Sequence, residues 1–406
     1  MASANSPFIA MNLALGVIFH WLGGLASASF YIPYRGLKGW SWETYWIVGG
    51  VFSWIIAPSL LAGLLVPDLF GHIAAAPSSS LLWSYMFGIL WGIGGLTFGL
   101  TMRYLGIALG MAVALGFCAA FGTLLPPIFE GRFGELIATT SGLTVLAGVL
   151  ACLVGIGISG AAGMSKESEL SAEEKAAAVK EFDYKKGMLV AVFAGVMSSC
   201  FAYGLAAGKP LGEITRTALE ASGGSPLWQN LPVLVVVLWG GFTTNFIWCM
   251  VLNIRNRTSH EYLNMRASHI SEMSAAEGVM ISQAPEISAN SEAAAHGATA
   301  GPAVYQGPAP LLRNYFLCAV AGVTWYLQFF FYSMGETKMG AYTFSSWTLH
   351  MASIIIFSTI WGLFLHEWRG SSRRTMTLVF LGLLVLVAST VIVGYGNFLG
   401  EESAAH

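Results

Sequence analysis

An all-α integral membrane fold of ten spanning helices, arranged as a 5+5 inverted repeat, is what this sequence predicts. Three observations predict it. Of the 406 residues, 55% are hydrophobic and only 10% are charged, where soluble domains carry about a quarter charged residues. Ten stretches are apolar enough and long enough to cross a bilayer, which takes about 20 residues of helix. Residues of the first five stretches also recur, in order, in the last five.

The stretches are 8–32, 45–66, 81–101, 104–125, 139–161, 187–207, 229–252, 314–334, 341–364 and 375–398. They are continuous rather than alternating, so each satisfies its own backbone as a helix and a barrel is excluded. The first contains Ala26-Ser27-Ala28, which mimics a signal-peptidase site, but no Lys or Arg precedes it and its apolar run is too long for a signal-peptide core, so it is expected to be a retained helix. The second opens at Trp40-Ser41-Trp42-Glu43-Thr44, and the third ends at Arg103. The third and fifth carry small-residue spacings, Gly88-xxx-Gly92, Gly95-xxx-Gly99 and Gly155-x-Gly157-x-x-Gly160, which suit close helix packing. A dinucleotide fingerprint is excluded for the last of these, which ends a membrane helix rather than joining a strand to one. The seventh holds Asn245, the eighth reads Trp325-Tyr326-Leu327-Gln328-Phe329-Phe330-Phe331-Tyr332, the ninth holds His350, and the tenth is plain apolar sequence.

Orientation follows from the basic residues. The connections after the odd-numbered spans hold 15 of the 19 Lys and Arg, and those after the even-numbered spans hold 4. The odd loops are therefore expected in the cytoplasm and both termini outside. Residues 165–186 predict a short amphipathic linker helix, with Ser171 and Glu174 spaced as a capping box. Residues 255–312, rich in Ala, Ser, Gly and Pro, predict a mostly disordered cytoplasmic loop. The domains expected are a five-helix repeat over 1–164, the linker at 165–186, and a second repeat over 187–406 that carries the loop.

The repeat shows as Gly16/Gly187, Gly24/Gly195, Ser27/Ser198 and Phe30/Phe201 between the first and sixth spans. Tyr85/Tyr315 and Gly92/Gly322 match the third to the eighth, and Met111/Met351 and Gly122/Gly362 match the fourth to the ninth. Five helices is an odd number, so a second copy enters the membrane inverted and a binding site is expected where the halves meet.

The net charge of −2 gives no bulk basic signal for nucleic acid. The five cysteines, Cys118, Cys152, Cys200, Cys249 and Cys318, stand singly in apolar runs and suit packing rather than disulfides. No Walker A motif and no metal or nucleophile constellation is present, which argues against an enzyme and against any cofactor beyond a coupling proton; His366-Glu367 lacks the second histidine of a zinc motif.

Ionisable groups inside a membrane cost free energy and are functional candidates by default. Within the ten spans only His20 and His350 qualify, both near the midpoints of their segments. A histidine loads and releases a proton near physiological pH, and burial disfavours its charged form, so a change of water access can trigger release. The alternative is a neutral histidine hydrogen-bonded between helices. Glu43 is a third candidate for proton coupling; it would otherwise cap its helix or pair with Arg35 or Lys38. For a sugar, Gln328, Asn245 and Ser27 can meet hydroxyls, while Trp325, Trp347, Tyr31 and Tyr332 offer faces for C–H groups. An aromatic belt at the interface accounts for Trp40, Trp42 and Trp46 but not for the mid-span Trp325.

Several stretches then resemble the bacterial L-rhamnose–proton symporter family, within the drug/metabolite transporter superfamily: His20 with FYIPYRGLKGWSWETYW (30–46), WGIG (91–94), GLTMRYLG (99–106), WYLQFFFY (325–332) and SWTLHM (346–351). The resemblance implies a ten-helix inverted-repeat fold, alternating access, and import of a 6-deoxyhexose such as L-rhamnose with a proton across the bacterial inner membrane. The sequence departs from the family pattern at Gly95, Thr97 and Ala206, where asparagines are expected, and in the long loop. The superfamily's ten-helix members keep their termini in the cytoplasm; the charges here argue the reverse. The partners expected are thus a small sugar and the lipid bilayer. The rival readings are a transporter of this fold for another small sugar or metabolite, and a membrane sugar sensor that does not transport.

Overall fold

In the computed structural model, the described residues are 6–169, 183–263 and 309–404, and they contain helices and no strand. Ten helices are long and apolar enough to span a membrane. They are α1 (Ser6–Ser29), α2 (Trp42–Leu65), α3 (Ser78–Leu105), α4 (Ile107–Phe129), α5 (Thr140–Ser168), α6 (Tyr184–Ala207), α7 (Leu231–Asn256), α8 (Leu311–Glu336), α9 (Ser345–Phe364) and α10 (Arg373–Ala404). All ten fall where the apolar runs lie. The ends differ most at α5, which continues to Ser168 through Lys166 and Glu167, and at α10, which continues to Ala404; α4 starts later because Gly106 (φ +81°) ends α3 before it.

Side chains of small volume let these helices approach. Along α5 and α10, Gly155 faces Leu386, Gly148 faces Val393 and Gly396 faces Val145, the close packing expected where lipid supplies no hydrophobic drive between helices. Gly88 of α3 lies against the Val237 carbonyl of α7, whereas Gly95 faces open space. All five cysteines are free and buried.

The packing partners exchange in pairs when each helix is replaced by the one five places on. α1 packs on α8 and α9 as α6 packs on α3 and α4; α2 packs on α8 as α7 packs on α3; α4 packs on α5 as α9 packs on α10. Glycines matched in the sequence repeat make matching contacts. Gly24 of α1 seats Ser353 of α9, and Gly195 of α6 seats Phe117 and Cys118 of α4. Gly92 of α3 seats Thr244 of α7, and Gly322 of α8 seats the Gly49 carbonyl of α2. The pair Gly122/Gly362 breaks the pattern, since Gly122 meets Trp347 and Gly362 meets Trp368.

A Cβ added at Gly24 would lie 2.2 Å from Ser353 Oγ and 2.6 Å from the Ser353 backbone carbon. Backbone cannot yield as a flexible side chain does, and overpacking of this kind costs about 1–3 kcal/mol or more. Gly24→Val should therefore lower the thermal unfolding midpoint in detergent sharply. Gly95→Ala, with nothing within 4 Å of the new methyl, should leave it unchanged.

Besides the single turn Tyr31–Tyr34 that continues α1, three short helices lie between spans that the sequence does not announce: Leu69–Ala75, Phe133–Ala138 and the amphipathic Lys209–Ala221. The beginning of the long loop is also more ordered than its composition suggests. Ser259–Leu263 forms a 3-10 turn that docks on the entry to α2. Ser41 donates to Glu261 Oε2 from its backbone N–H (2.7 Å) and its hydroxyl (2.9 Å), and Trp40 Nε1 donates to the Glu261 carbonyl (3.0 Å). Burial pushes the Glu261 carboxyl above its ordinary value, against the pull of the hydrogen bonds from Ser41 and Thr44. Residues 264–308, with His269 and His296, lie outside the described residues, as does the capping box Ser171/Glu174.

Candidate functional site

The second span is not a plain α-helix. Its middle, Val51–Ile56, is a π-helix flanked by α-helical segments. Wider i→i+5 turns interrupt the usual stacking and recur at functional sites. Here Ser53 and Trp54 on that segment are each only 3% exposed. Trp54 meets Trp325 of α8 edge-to-face (5.3 Å between ring centres, 88°) and Trp46 at 6.0 Å. Trp325 in turn stacks on Trp91 of α3 (5.7 Å, 29°). Phe30, Tyr34, Trp46, Gly50, Ser53, Trp54, Gly322 and Trp325 line a void of about 10 Å³, room for one water and not for a sugar. The Trp54 indole N–H is buried and has no partner among the described residues.

The two histidines come together. His20 is fully buried and His350 is 1% exposed. Both approach the Tyr332 ring edge-to-face, each with centres 5.2 Å apart. Trp347 and Phe329 close the His350 side at 6.1 and 6.3 Å. Gly335 makes room for His20: a Cβ there would sit 2.8 Å from His20 Nε2. None of the four ring nitrogens has a hydrogen-bond partner among the described residues. A structural histidine bonded between helices, the alternative reading, would have one, because buried polar groups are nearly always paired.

His20 lies near the middle of α1, as its apolar stretch suggests, but His350 does not lie at the middle of α9. α9 begins at Ser345, after a 3-10 turn at Gly340–Tyr342, so His350 lies in its second turn. Tyr332 lies one turn from the end of α8. At 1.5 Å per residue, Trp325 is about 10 Å deeper along α8 than Tyr332. The site is therefore two-tiered: a histidine cluster near the end of α8 and the start of α9, beside the middle of α1, and an aromatic box deeper along α8. Phe329 and Phe201 connect the tiers, with ring centres 4.3 Å apart, and Phe201 stacks on Trp347 (5.7 Å, 27°).

The other expected residues divide. Gln328 is buried, and its carbonyl abuts Gly23 beside the histidine cluster. Asn245 is committed to support: its Oδ1 accepts from Trp46 Nε1 (3.0 Å) and its Nδ2 donates to the Gly241 carbonyl (2.9 Å). Trp347 is likewise held, donating to the Cys118 carbonyl (3.0 Å). Tyr31 is buried against Phe30, Tyr34 and Trp46, and Ser27 is half-buried on α1. Glu43 is in neither tier; its Oε1 accepts from Asn256 Nδ2 (3.0 Å) and Thr258 Oγ1 (2.8 Å) at the start of α2. Trp42 and Trp46 are not belt residues. They stack on each other (5.4 Å, 16°), and Trp46 lines the void.

Sequence reasoning missed Trp54, because VFSWII is an ordinary apolar run and nothing in it announces a π-helix. Trp91 stood in the WGIG motif, and that was the only signal for it. Of the departures from the family pattern, Thr97 Oγ1 bonds back to the carbonyls of Ile93 (3.0 Å) and Gly94 (2.9 Å), and Gly95 is exposed. Neither lines the void.

Comparison with known proteins adds two findings. Residues 9–284 and 303–398 match the family described as L-rhamnose-proton symport protein (RhaT). The L-rhamnose-proton symporters of Shigella sonnei (strain Ss046) and Escherichia coli (strain SMS-3-5 / SECEC) are each 35% identical over 386 residues, covering 95% of this chain and 98% of theirs. That of Cronobacter sakazakii (strain ATCC BAA-894) is 34% identical over 385 residues.

Proposed function

The chain belongs to the L-rhamnose–proton symport family, and from that premise we infer that it imports L-rhamnose together with a proton. It is a multi-pass membrane transporter that works by alternating access, not an enzyme. The relatives are named as symporters of this sugar, which favours that cargo over another metabolite and transport over sensing alone.

The observation that carries the mechanism is the histidine pair, buried against Tyr332 with no ring nitrogen partnered among the described residues. His20 or His350 takes the proton. The sugar is held at the aromatic box once the helices part to widen it, with its C–H face on Trp325, while Gln328, beside the histidine cluster, and Ser27 offer polar groups to its hydroxyls. Asn245 and Tyr31 hold that box in shape through Trp46, and Trp347 closes the histidine cluster. Glu43, bonded to Asn256 and Thr258, belongs to the closure at the opposite end of α2 rather than to the proton site.

The charge asymmetry of the loops supports odd loops in the cytoplasm and both termini outside. On that orientation the histidine tier faces outward. The inner end is shut by Ser41 and Trp40 on Glu261, by Asn314 on the Lys38 backbone, and by Arg35 with Glu367 (3.2 Å). Two halves, 1–164 and 187–406, joined by 165–186, then rock against each other, a reading supported by the exchange of packing partners. The inner bonds break when the inner face opens.

The test is uptake of radiolabelled L-rhamnose into proteoliposomes, with the membrane potential clamped. With one proton per sugar, an inward gradient of one pH unit sustains about tenfold accumulation. Accumulation that an uncoupler abolishes is the expected result. Binding of the sugar with no uptake by correctly inserted protein would favour the sensor reading instead.

A further inference from the structure

Glu336 is the last residue of α8, the helix that carries Trp325, Gln328 and Tyr332. The apolar run ended before it, so it was counted among loop residues. The helix in fact continues through it, which sets its Cα one turn, about 6 Å, beyond that of Tyr332. It is partly buried. Its Oε2 accepts from Asn230 Nδ2 (3.2 Å) at the start of α7, and no cation lies within salt-bridge distance of it among the described residues.

The surrounding charges are otherwise engaged. Lys209, whose field reaches Glu336 from the neighbouring amphipathic helix, bonds Glu130 Oε1 at 2.9 Å. Lys338, two residues on, bonds Asn12 Oδ1 of α1 at 3.3 Å. Below lie Tyr332 and His20, and His20 Nε2 packs against Gly335, the residue next to Glu336 in the chain. A partly buried carboxylate with one neutral donor thus stands one helical turn from Tyr332, the ring that both imidazoles approach.

We propose that Glu336 is a second proton-binding site of this transporter, which takes a proton from the outer solution and passes it to His20. The carboxyl O–H bond breaks as the imidazole N–H bond forms, through a water chain one turn long, and the carboxylate is then reprotonated from outside. This deepens the histidine reading and rests on it.

Glu336→Gln keeps an oxygen to accept from Asn230 and removes the exchangeable proton. In proteoliposomes with a one-unit pH gradient, the variant is expected to fall from about tenfold accumulation to none. Counterflow of labelled L-rhamnose at equal pH on both sides should persist, and Glu336→Asp should restore part of the accumulation. Accumulation equal to the unaltered protein would overturn the proposal, and so would loss of counterflow together with accumulation, which is what a purely structural role predicts. If Glu336→Gln behaves normally while His20 variants uncouple, this proposal alone fails. If the unaltered protein does not accumulate L-rhamnose at all, the symport reading fails first.

Discussion

Replacing both His20 and His350 by asparagine should abolish gradient-driven accumulation of L-rhamnose and leave counterflow at equal pH largely intact. The reasoning is thermodynamic. Accumulation against a concentration difference requires that a proton move in the same cycle, whereas counterflow needs only that the loaded carrier change its access. Asparagine retains polarity and some hydrogen-bonding capacity but cannot take up a proton near neutral pH. With a gradient of one pH unit the expected change is from about tenfold accumulation to equilibration.

The single variants sharpen the assignment. His20 and His350 both meet the Tyr332 ring edge-to-face, each at 5.2 Å. If one carries the proton and the other only tunes its surroundings, one single variant uncouples and the other shifts the pH at which uptake is half-maximal. Both singles uncoupling would mean a shared proton. Accumulation that survived in the double variant would remove the histidines from the mechanism and leave Glu336 and Glu43 as the carboxylates to test.

The same residues show how far sequence reading reached. Spans are legible because the bilayer imposes a length and forbids charge, and the same penalty made His20 and His350 conspicuous. That they meet was not legible. It depends on Gly335 letting His20 against α8 and on Gly24 letting α9 against α1, contacts between helices far apart in the chain. The matched glycines Gly24/Gly195 and Gly92/Gly322 could be paired by letter, but only packing gives them a meaning. His20 stands near the middle of α1 as its stretch has it, but His350 stands nearer the start of its helix, because the apolar stretch at 341–364 includes a 3-10 turn ahead of α9. Hydropathy measures apolarity and not helical register, so it could not separate the turn from the helix. Glu336 was lost for the converse reason: its helix outlasts the apolar run. Asn245 shows a further limit. A polar residue in a membrane helix marks a demand for hydrogen bonds, and here Trp46 and the Gly241 carbonyl meet that demand, not a ligand.

Trp54→Phe should raise the KM for L-rhamnose while leaving proton coupling and thermal stability close to those of the unaltered protein. The ring stays, so the contacts with Trp325 and Trp46 are largely kept and only the buried, unpartnered N–H is lost. If that N–H donates to a sugar hydroxyl in the loaded state, its removal costs about 0.5–1.5 kcal/mol of binding, which is about a 2- to 12-fold rise in KM. Phenylalanine also retires an unsatisfied donor in the sugar-free state, so stability should hold or improve slightly. Trp54→Ala is the poorer test, because the cavity it leaves costs about 3–5 kcal/mol and confounds binding with folding. Trp239 supplies the control: its indole N–H is also buried and unpartnered, but it does not line the void, and Trp239→Phe should leave KM unchanged. Deoxy analogues of the sugar close the argument. One that lacks the hydroxyl met by Trp54 should bind the unaltered protein and Trp54→Phe equally well, since the interaction is then absent in both. If no analogue levels the two proteins, the N–H does not touch the sugar, and the aromatic box recognises it through ring faces alone.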